Sequence, residues 1–531
     1  MRCISVVLCL ALGLGLARAS VLGGIRAAVS DDDDAKYTLP KSVLFGAGTS
    51  AYQTEGAWDA DGKGVNVFDY YYHQKNLSQS QTGDVAADAY NRYKEDIALA
   101  HELGLDTLRI SLSWARIFPN GRRDSLNKKG VQHYHDVLDE MKKYGIEPMV
   151  TIFHFDYPQT LEDEFGGWLN KTMATVFADF ADFVFGEYGT KVKYWLTINE
   201  ASMYCNLAGG MGMVPPGTIT TEEKRARCLH HLILGHALAY DKYRKNHNNG
   251  GLVGFGVGPG FSRPNSTAQE DVDASDKSNL GGIGMSLHPL VTGDYPAGFE
   301  SSSRPNFTEE EKKLLKGSID FAGVNIYGGS NVSASSGSGG GGGGGPPSGG
   351  GGGPPGDGCG GGGGGGGGGP PGGQGSTEGA WTMRELPKWV NTKYNLPVFF
   401  TESGAGTGNG LNDWDTRAVF SSAYLRELAA GINEDKNQVL GYTMWSFIDT
   451  FEFGSYEGWG MVQVDYATGS LNRTLKQSST FFKRLTATRV VPLVEAGSQP
   501  FPEPTPSSAA PIAARGPLFI ALIALLAVKW L

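Results

Sequence analysis

No apolar run in the sequence reaches the ~20 residues that a helix needs to cross a bilayer. The two longest lie at the ends of the 531-residue chain. Long basic runs are missing too. Lys and Arg number 45 against 55 Asp and Glu, both signs are spread along the chain, and the net charge is −10. That balance argues against nucleic acid as a partner. Cysteine is scarce, with five in the whole chain. No spacing of Cys, His or acidic residues fits a metal centre, so no metal is expected. No Gly-rich phosphate-binding loop follows a strand-like run, which argues against a doubly wound nucleotide fold. What is present is 40% apolar residues, enough for a large core.

The N-terminus, "MRCISVVLCLALGLGLARAS", has one basic residue, a short apolar run and a small-residue site at Ala17-Arg18-Ala19. It reads as a secretory signal over 1–19; a membrane anchor is the weaker alternative because the run is short. Six Asn-x-Ser/Thr sequons agree with secretion: Asn76, Asn170, Asn265, Asn306, Asn331 and Asn472. Cys3 and Cys9 leave with the signal. An oxidising compartment permits a Cys205–Cys228 bridge and leaves Cys359 unpaired. A Pro/Ser/Ala-rich stalk over 491–516 leads to an apolar tail, 517–531. Small residues at Ser507 to Ala510 before that tail resemble a glycolipid-anchor signal; a short tail anchor and an anomalous gene end are the alternatives. The expected location is extracellular or at the cell surface, with a membrane tether open.

Eight strand-like runs stand out: "VLFGAGTS", "TLRISLS", "PMVTIFH", "YWLTINE", "LVGFGVG", "FAGVNIY", "LPVFFTES" and "GYTMWSF". Between most of them apolar residues recur at helical spacing, as in "AYNRYKEDIALAHELG" and "QHYHDVLDEMKKYG", each stopping at glycine. Strand then helix, repeated, means parallel strands with crossover helices. Eight units predict a single α/β domain, a (β/α)8 TIM barrel over 37–490. A tract of Gly, Pro and Ser at 335–376 interrupts it after the sixth strand. Strands seven and eight are needed for closure, so the tract reads as an insertion and not as a linker between domains. An error in the gene model is the remaining alternative.

In a barrel the strand C-termini converge on one mouth. Here they lead to Gln53 and Glu55, Arg109, His154 and Asp156, Asn199 and Glu200, Asn325 and Tyr327, Glu402, and Trp445 with Glu452 and Phe453 beyond. A lone strand-end glutamate is usually a cap or an ion-pair partner. Two glutamates among amides, an arginine, a histidine and aromatics suit a sugar, whose C–H face packs on rings and whose hydroxyls pair with amides and carboxylates. Two carboxylates across a sugar imply glycosidic cleavage. One acid protonates the leaving oxygen, and the other attacks carbon or activates water.

These segments resemble glycoside hydrolase family 1, the β-glucosidase, lactase-phlorizin hydrolase and klotho group. The likeness runs from about Leu44 to Leu485 through "FGAGTSAYQTEGAWDADGKG", "RISLSWARIFPNG", "FHFDYPQTLEDEFGGW", "TINEAS", "DFAGVNIY", "FTESGAG" and "GYTMWSFIDTFEF". The resemblance implies a retaining mechanism with Glu200 as acid/base and Glu402 as nucleophile, their carboxyls ~5–5.5 Å apart. It implies that Gln53, His154, Asn199 and Glu452 bind hydroxyls of the sugar and that Trp445 stacks beneath it, with Phe453 also in the substrate site. It implies that Arg109 and Tyr327 hold the nucleophile, with Asn325 beside it. No cofactor follows from it, and the partner is a β-glycoside or oligosaccharide. The chain departs from the family at Ala201 (usually Pro), Ser403 (usually Asn), Phe155 and Phe453 (usually Trp) and Ile326 (often Tyr). Neither catalytic carboxylate is lost, whereas klotho-like binding proteins often lack one. Glu200 also favours O-glycosides over thioglycosides, and Glu452 would repel a 6-phospho sugar.

Overall fold

Eight parallel strands close into a barrel, and they fall on the eight apolar runs. They are β1 Leu44–Gly48, β2 Thr107–Ser111, β3 Glu147–Phe153, β4 Tyr194–Ile198, β5 Leu252–Val257, β6 Phe321–Asn325, β7 Val398–Glu402 and β8 Val439–Trp445. Each pairs with its neighbours in sequence, and β8 pairs with β1 to close the ring. The returning helices are α1 Ala89–Glu102, α2 Lys128–Lys143, α3 Thr172–Tyr188, α4 Glu222–Lys242, α5 Met285–Thr292, α6 Thr382–Tyr394, α7 Val419–Asn433 and α8 Ser479–Thr488. This computed structural model describes residues 31–74, 82–210, 214–334, 376–408 and 410–503. The expected signal, Asn76, the tract 335–375 with Cys359, and the C-terminal tail lie outside the described residues.

The helices follow their apolar spacing. α2 buries Tyr134, Val137, Leu138 and Met141 on one face. Asn127 caps its start by accepting from the Lys129 N–H at 3.2 Å. Gly145, at φ 72°, takes the left-handed turn beyond its end, where a side chain would be strained.

Strand periodicity sorts the barrel interior by depth. Val398 and Phe400 of β7 face outward into the main core with the helices, while Phe399 turns inward. There it meets Met149, Tyr194, Leu196 and Phe321 in a separate apolar cluster that fills one end of the barrel. Glycines on neighbouring strands make room for these rings: a Cβ on Gly441 would lie 2.5 Å from the Phe399 ring, and one on Gly254 the same distance from Phe321. Two residues further along the strands the inward positions become polar. Thr151 follows Met149, Thr401 follows Phe399, and Thr443 follows Gly441, all fully buried. Arg109 donates to the Thr151 hydroxyl and the Thr401 carbonyl, and the Thr443 hydroxyl donates to that same carbonyl. The polar layer leads to the C-terminal mouth.

A disulfide joins Cys205 in the helix Ala201–Gly210 to Cys228 in α4. The barrel also continues past 490, the expected start of the stalk. Val491 and Val494 are buried, the Val491 N–H donates to the Tyr37 carbonyl at 2.9 Å, and Phe501 packs edge-on against Trp414. Apolar side chains at these three positions dock the segment through 503.

Candidate active site

Glu402 is the last residue of β7, and two groups hold its carboxylate. Arg109 Nη1 donates to Oε1 at 2.6 Å, and the Tyr327 hydroxyl donates to Oε2 at 3.0 Å. Arg109 is itself locked. Its Nε donates to Thr151 Oγ1 at 2.9 Å, Nη1 to the Thr401 carbonyl at 2.9 Å, and Nη2 to Asn199 Oδ1 at 2.8 Å. A buried guanidinium with all of its faces engaged acts as a fixed counter-charge for the carboxylate.

Glu200 has a different setting. It lies between β4 and the helix Ala201–Gly210, with φ at 41°, a strained value for a residue with a side chain. Asn325 Nδ2 donates to its Oε1 at 2.9 Å. Burial, and next the charge of Glu402, raise its pKa well above the usual carboxylate range. One carboxylate is therefore held by a cation and a phenol, while the other is desolvated and favours its protonated form. Such a pair can divide the roles of nucleophile and acid.

The amides around them have defined directions. Arg109 can only donate, so the Asn199 atom facing it is oxygen, and Asn199 Nδ2 points to His154 Nε2 at 3.4 Å. His154 then carries its proton on Nδ1, which has no partner among the described residues. Burial, with Arg109 second, holds this imidazole neutral by moving its pKa well below the ordinary value. Gln53 accepts from Ser50 Oγ at 2.7 Å and leaves Nε2 without a described partner. Two buried donors without acceptors are costly unless a ligand completes them, and hydroxyl oxygens of a sugar would do so.

Trp445 stacks on the His154 ring at 5.7 Å, and its indole N–H donates to Glu452 Oε1 at 3.0 Å. The Thr450 hydroxyl donates to the same oxygen at 2.7 Å. Glu452 is half-buried, and its desolvated surroundings push its pKa up to about 7. Phe453 packs on Phe68 at 5.3 Å and on Phe155 at 6.0 Å, so the two phenylalanines at the family's tryptophan positions are neighbours.

Asn325 lies beside Glu402, its backbone in register with it, and its side chain serves Glu200 as well. Two expectations change. Glu55 stands apart from the mouth, where Arg116 Nε and the Tyr134 hydroxyl donate to it at 3.0 and 2.7 Å. Asp156 is buried with neither oxygen bonded among the described residues, and burial pushes it up to about 8. Reading the strand ends overlooked Thr151, Thr401 and Thr450, which hold the site's polar groups from behind. The period-two parity with Met149 and Phe399 was the signal for the first two.

A (β/α)8 barrel with a glutamate at the end of β4, a second at the end of β7 and sugar-type donors between them defines an O-glycosyl hydrolase. The model of glycosyl hydrolase family 1 matches residues 35–490, and the chain belongs to that family as a β-glucosidase-like enzyme with retaining β-glycosidase activity. It is 33% identical over 465 residues to a cyanidin 3-O-glucoside 7-O-glucosyltransferase (acyl-glucose) of Delphinium grandiflorum, covering 84% of this chain and 89% of that one. It is 33% identical over 505 residues to beta-glucosidase 11 of Arabidopsis thaliana, covering 86% and 93%. The solved structure of aphid myrosinase superposes with a TM-score of 0.72 at 29% identity, covering 85% of this chain and all of that one.

Proposed function

We propose that the protein hydrolyses terminal β-D-glucosides or β-D-galactosides, as O-glycosides, by double displacement. One observation carries this reading: Glu402 is gripped by Arg109 and Tyr327 while Glu200 is desolvated beside a single amide donor. In the first step a Glu402 oxygen attacks the anomeric carbon. The glycosidic C–O bond breaks, and the leaving oxygen takes the proton of Glu200. In the second step Glu200, now a base, removes a proton from water. The water oxygen bonds to the anomeric carbon, and the ester to Glu402 breaks. Gln53, His154, Asn199 and Glu452 bind the sugar hydroxyls, and Trp445 supports its face. Contacts to the 2-hydroxyl through Asn199 strengthen as charge develops at the anomeric carbon, so they act on rate as well as on binding.

The same proposal places the enzyme outside the cell. The Cys205–Cys228 bridge supports an oxidising compartment, and Asn265, Asn306, Asn331 and Asn472 are exposed for glycosylation, with Asn170 half-buried. Retention at the surface would fall to the C-terminal tail.

The test is covalent. A 2-fluoro glucoside or galactoside with a good leaving group should label Glu402, identified by mass spectrometry of the digested protein. Glu402→Ala should lose hydrolysis of aryl β-glycosides by at least ~10⁴-fold. Unchanged turnover in that variant, or a label on another residue, would overturn the assignment.

A further inference from the structure

Thr401 lies one residue before Glu402, fully buried, on the inward side of β7. Its hydroxyl donates to Asn325 Oδ1 at 2.7 Å. Asn325 Nδ2 then serves two acceptors, Asn199 Oδ1 at 3.1 Å and Glu200 Oε1 at 2.9 Å. The direction of this chain is fixed from its far end. Arg109 presents only donors, so the Asn199 atom 2.8 Å from it is the carbonyl oxygen. That oxygen can only accept from Asn325, so the Asn325 amino group faces Asn199 and Glu200. Its carbonyl therefore faces Thr401, and the threonine hydroxyl must be the donor.

We propose that Thr401 is a positioning residue for Glu200, acting through Asn325: its hydroxyl anchors the amide whose N–H occupies Oε1 and leaves the transferable proton on Oε2. This rests on the reading of Glu200 as the acid/base. The N–H does two things. It selects which oxygen carries the proton, and it favours the carboxylate against the burial that opposes it. The other groups that bear on Glu200 are Glu402, Arg109, Glu452 and Tyr327. None of them donates to its carboxyl in the described structure, so the amide is its orienting contact. Removing the threonine hydroxyl strands a buried carbonyl oxygen, and the amide then gives up its place to find another donor. The proton of Glu200 loses its direction, and the carboxyl is held higher still.

The test compares Thr401→Val and Thr401→Ser with the unmodified full chain. The substrates are phenyl and 2,4-dinitrophenyl β-glucosides, or the galactosides where the enzyme prefers them. The dinitrophenolate departs without a proton, and the phenolate does not. Thr401→Val should lose about tenfold in kcat/KM on the phenyl glycoside, a part of what general acid catalysis supplies. It should be nearly unchanged on the dinitrophenyl glycoside. The basic limb of its pH profile should move to higher pH, and Thr401→Ser should restore both readings. Should the valine variant not fold, Thr401→Ala gives the same comparison. Equal losses on both substrates with an unmoved basic limb would overturn the proposal and leave Thr401 a packing residue. Glu200→Ala serves as the control. If that variant shows no dependence on the leaving group, the acid/base reading itself has failed.

Discussion

The hydroxyl of Tyr327 reaches Glu402 Oε2 from outside the strand, while Arg109 holds Oε1 from within the barrel. Each oxygen thus has one donor, and the carboxylate cannot rotate. Tyr327→Phe keeps the ring, which packs edge-on against Trp459 at 5.7 Å, and removes only the donor. We expect kcat/KM to fall by ~10²-fold with an unchanged circular dichroism spectrum, the range for losing one preorganised donor. A loss below twofold would mean that Arg109 alone orients the nucleophile. Both glutamates were legible in the sequence because each closes a strand-like run, and strand C-termini converge on the mouth of a barrel. The bonding of Asn325 was not. Whether its amide serves the nucleophile or the acid depends on which neighbour can only donate, and that is Arg109, four strands away around the ring. Glu55 was misread for a related reason. It follows the short helix Ala51–Thr54, whose turn sends Gln53 toward the mouth and Glu55 toward Arg116.

At the scale of elements, the eight strands were readable because each is an apolar run ended by polar groups, and the first two helices because glycine stops them. The helix Ala201–Gly210 had no such pattern. It is a short element set by its surroundings, and it starts on the residue after Glu200. What fastens it is the Cys205–Cys228 disulfide to α4, which spans 23 residues. The sequence left this pairing open because three cysteines remain after the signal. Closing a loop of that length removes chain entropy from the unfolded state worth about 3 kcal/mol. A Cys205→Ser, Cys228→Ser double variant should therefore unfold at lower urea by about that stability. Reductant should lower the midpoint of the native chain and leave the variant where it is. A native midpoint that ignores reductant would show that the bridge contributes nothing under those conditions.

For the molecule as a whole, the net charge of −10 says little about stability, because the groups that matter are buried. Asp156 is the clearest. It was expected near the mouth as the residue two past His154, but it lies fully enclosed, and burial lifts its carboxyl from 3.8 to about 8. Nothing in the sequence distinguishes an acid that faces a cleft from one that faces the core. The sign follows from proton binding. Between pH 4 and 8 the folded protein keeps a proton that the unfolded chain releases, so this group's contribution is complete below pH 4 and is lost as pH rises toward 8. The slope for one group is about 1.4 kcal/mol per pH unit. Burial of His133 and His230 works the other way, moving each imidazole down to about 4, so their contributions are lost as pH falls from 6.5. Glu200 and Glu452 are raised in the same direction as Asp156, so the share of Asp156 is read only by difference. Asp156→Asn removes the carboxyl while keeping its shape. Its stability relative to the native chain, from urea unfolding at unit pH steps, should rise steadily from pH 4 to pH 8, with the variant the more stable at the upper end. A difference curve that stays flat across those steps would mean that Asp156 is solvated and charged in the folded protein, and that the enclosed carboxyl does not govern the pH dependence.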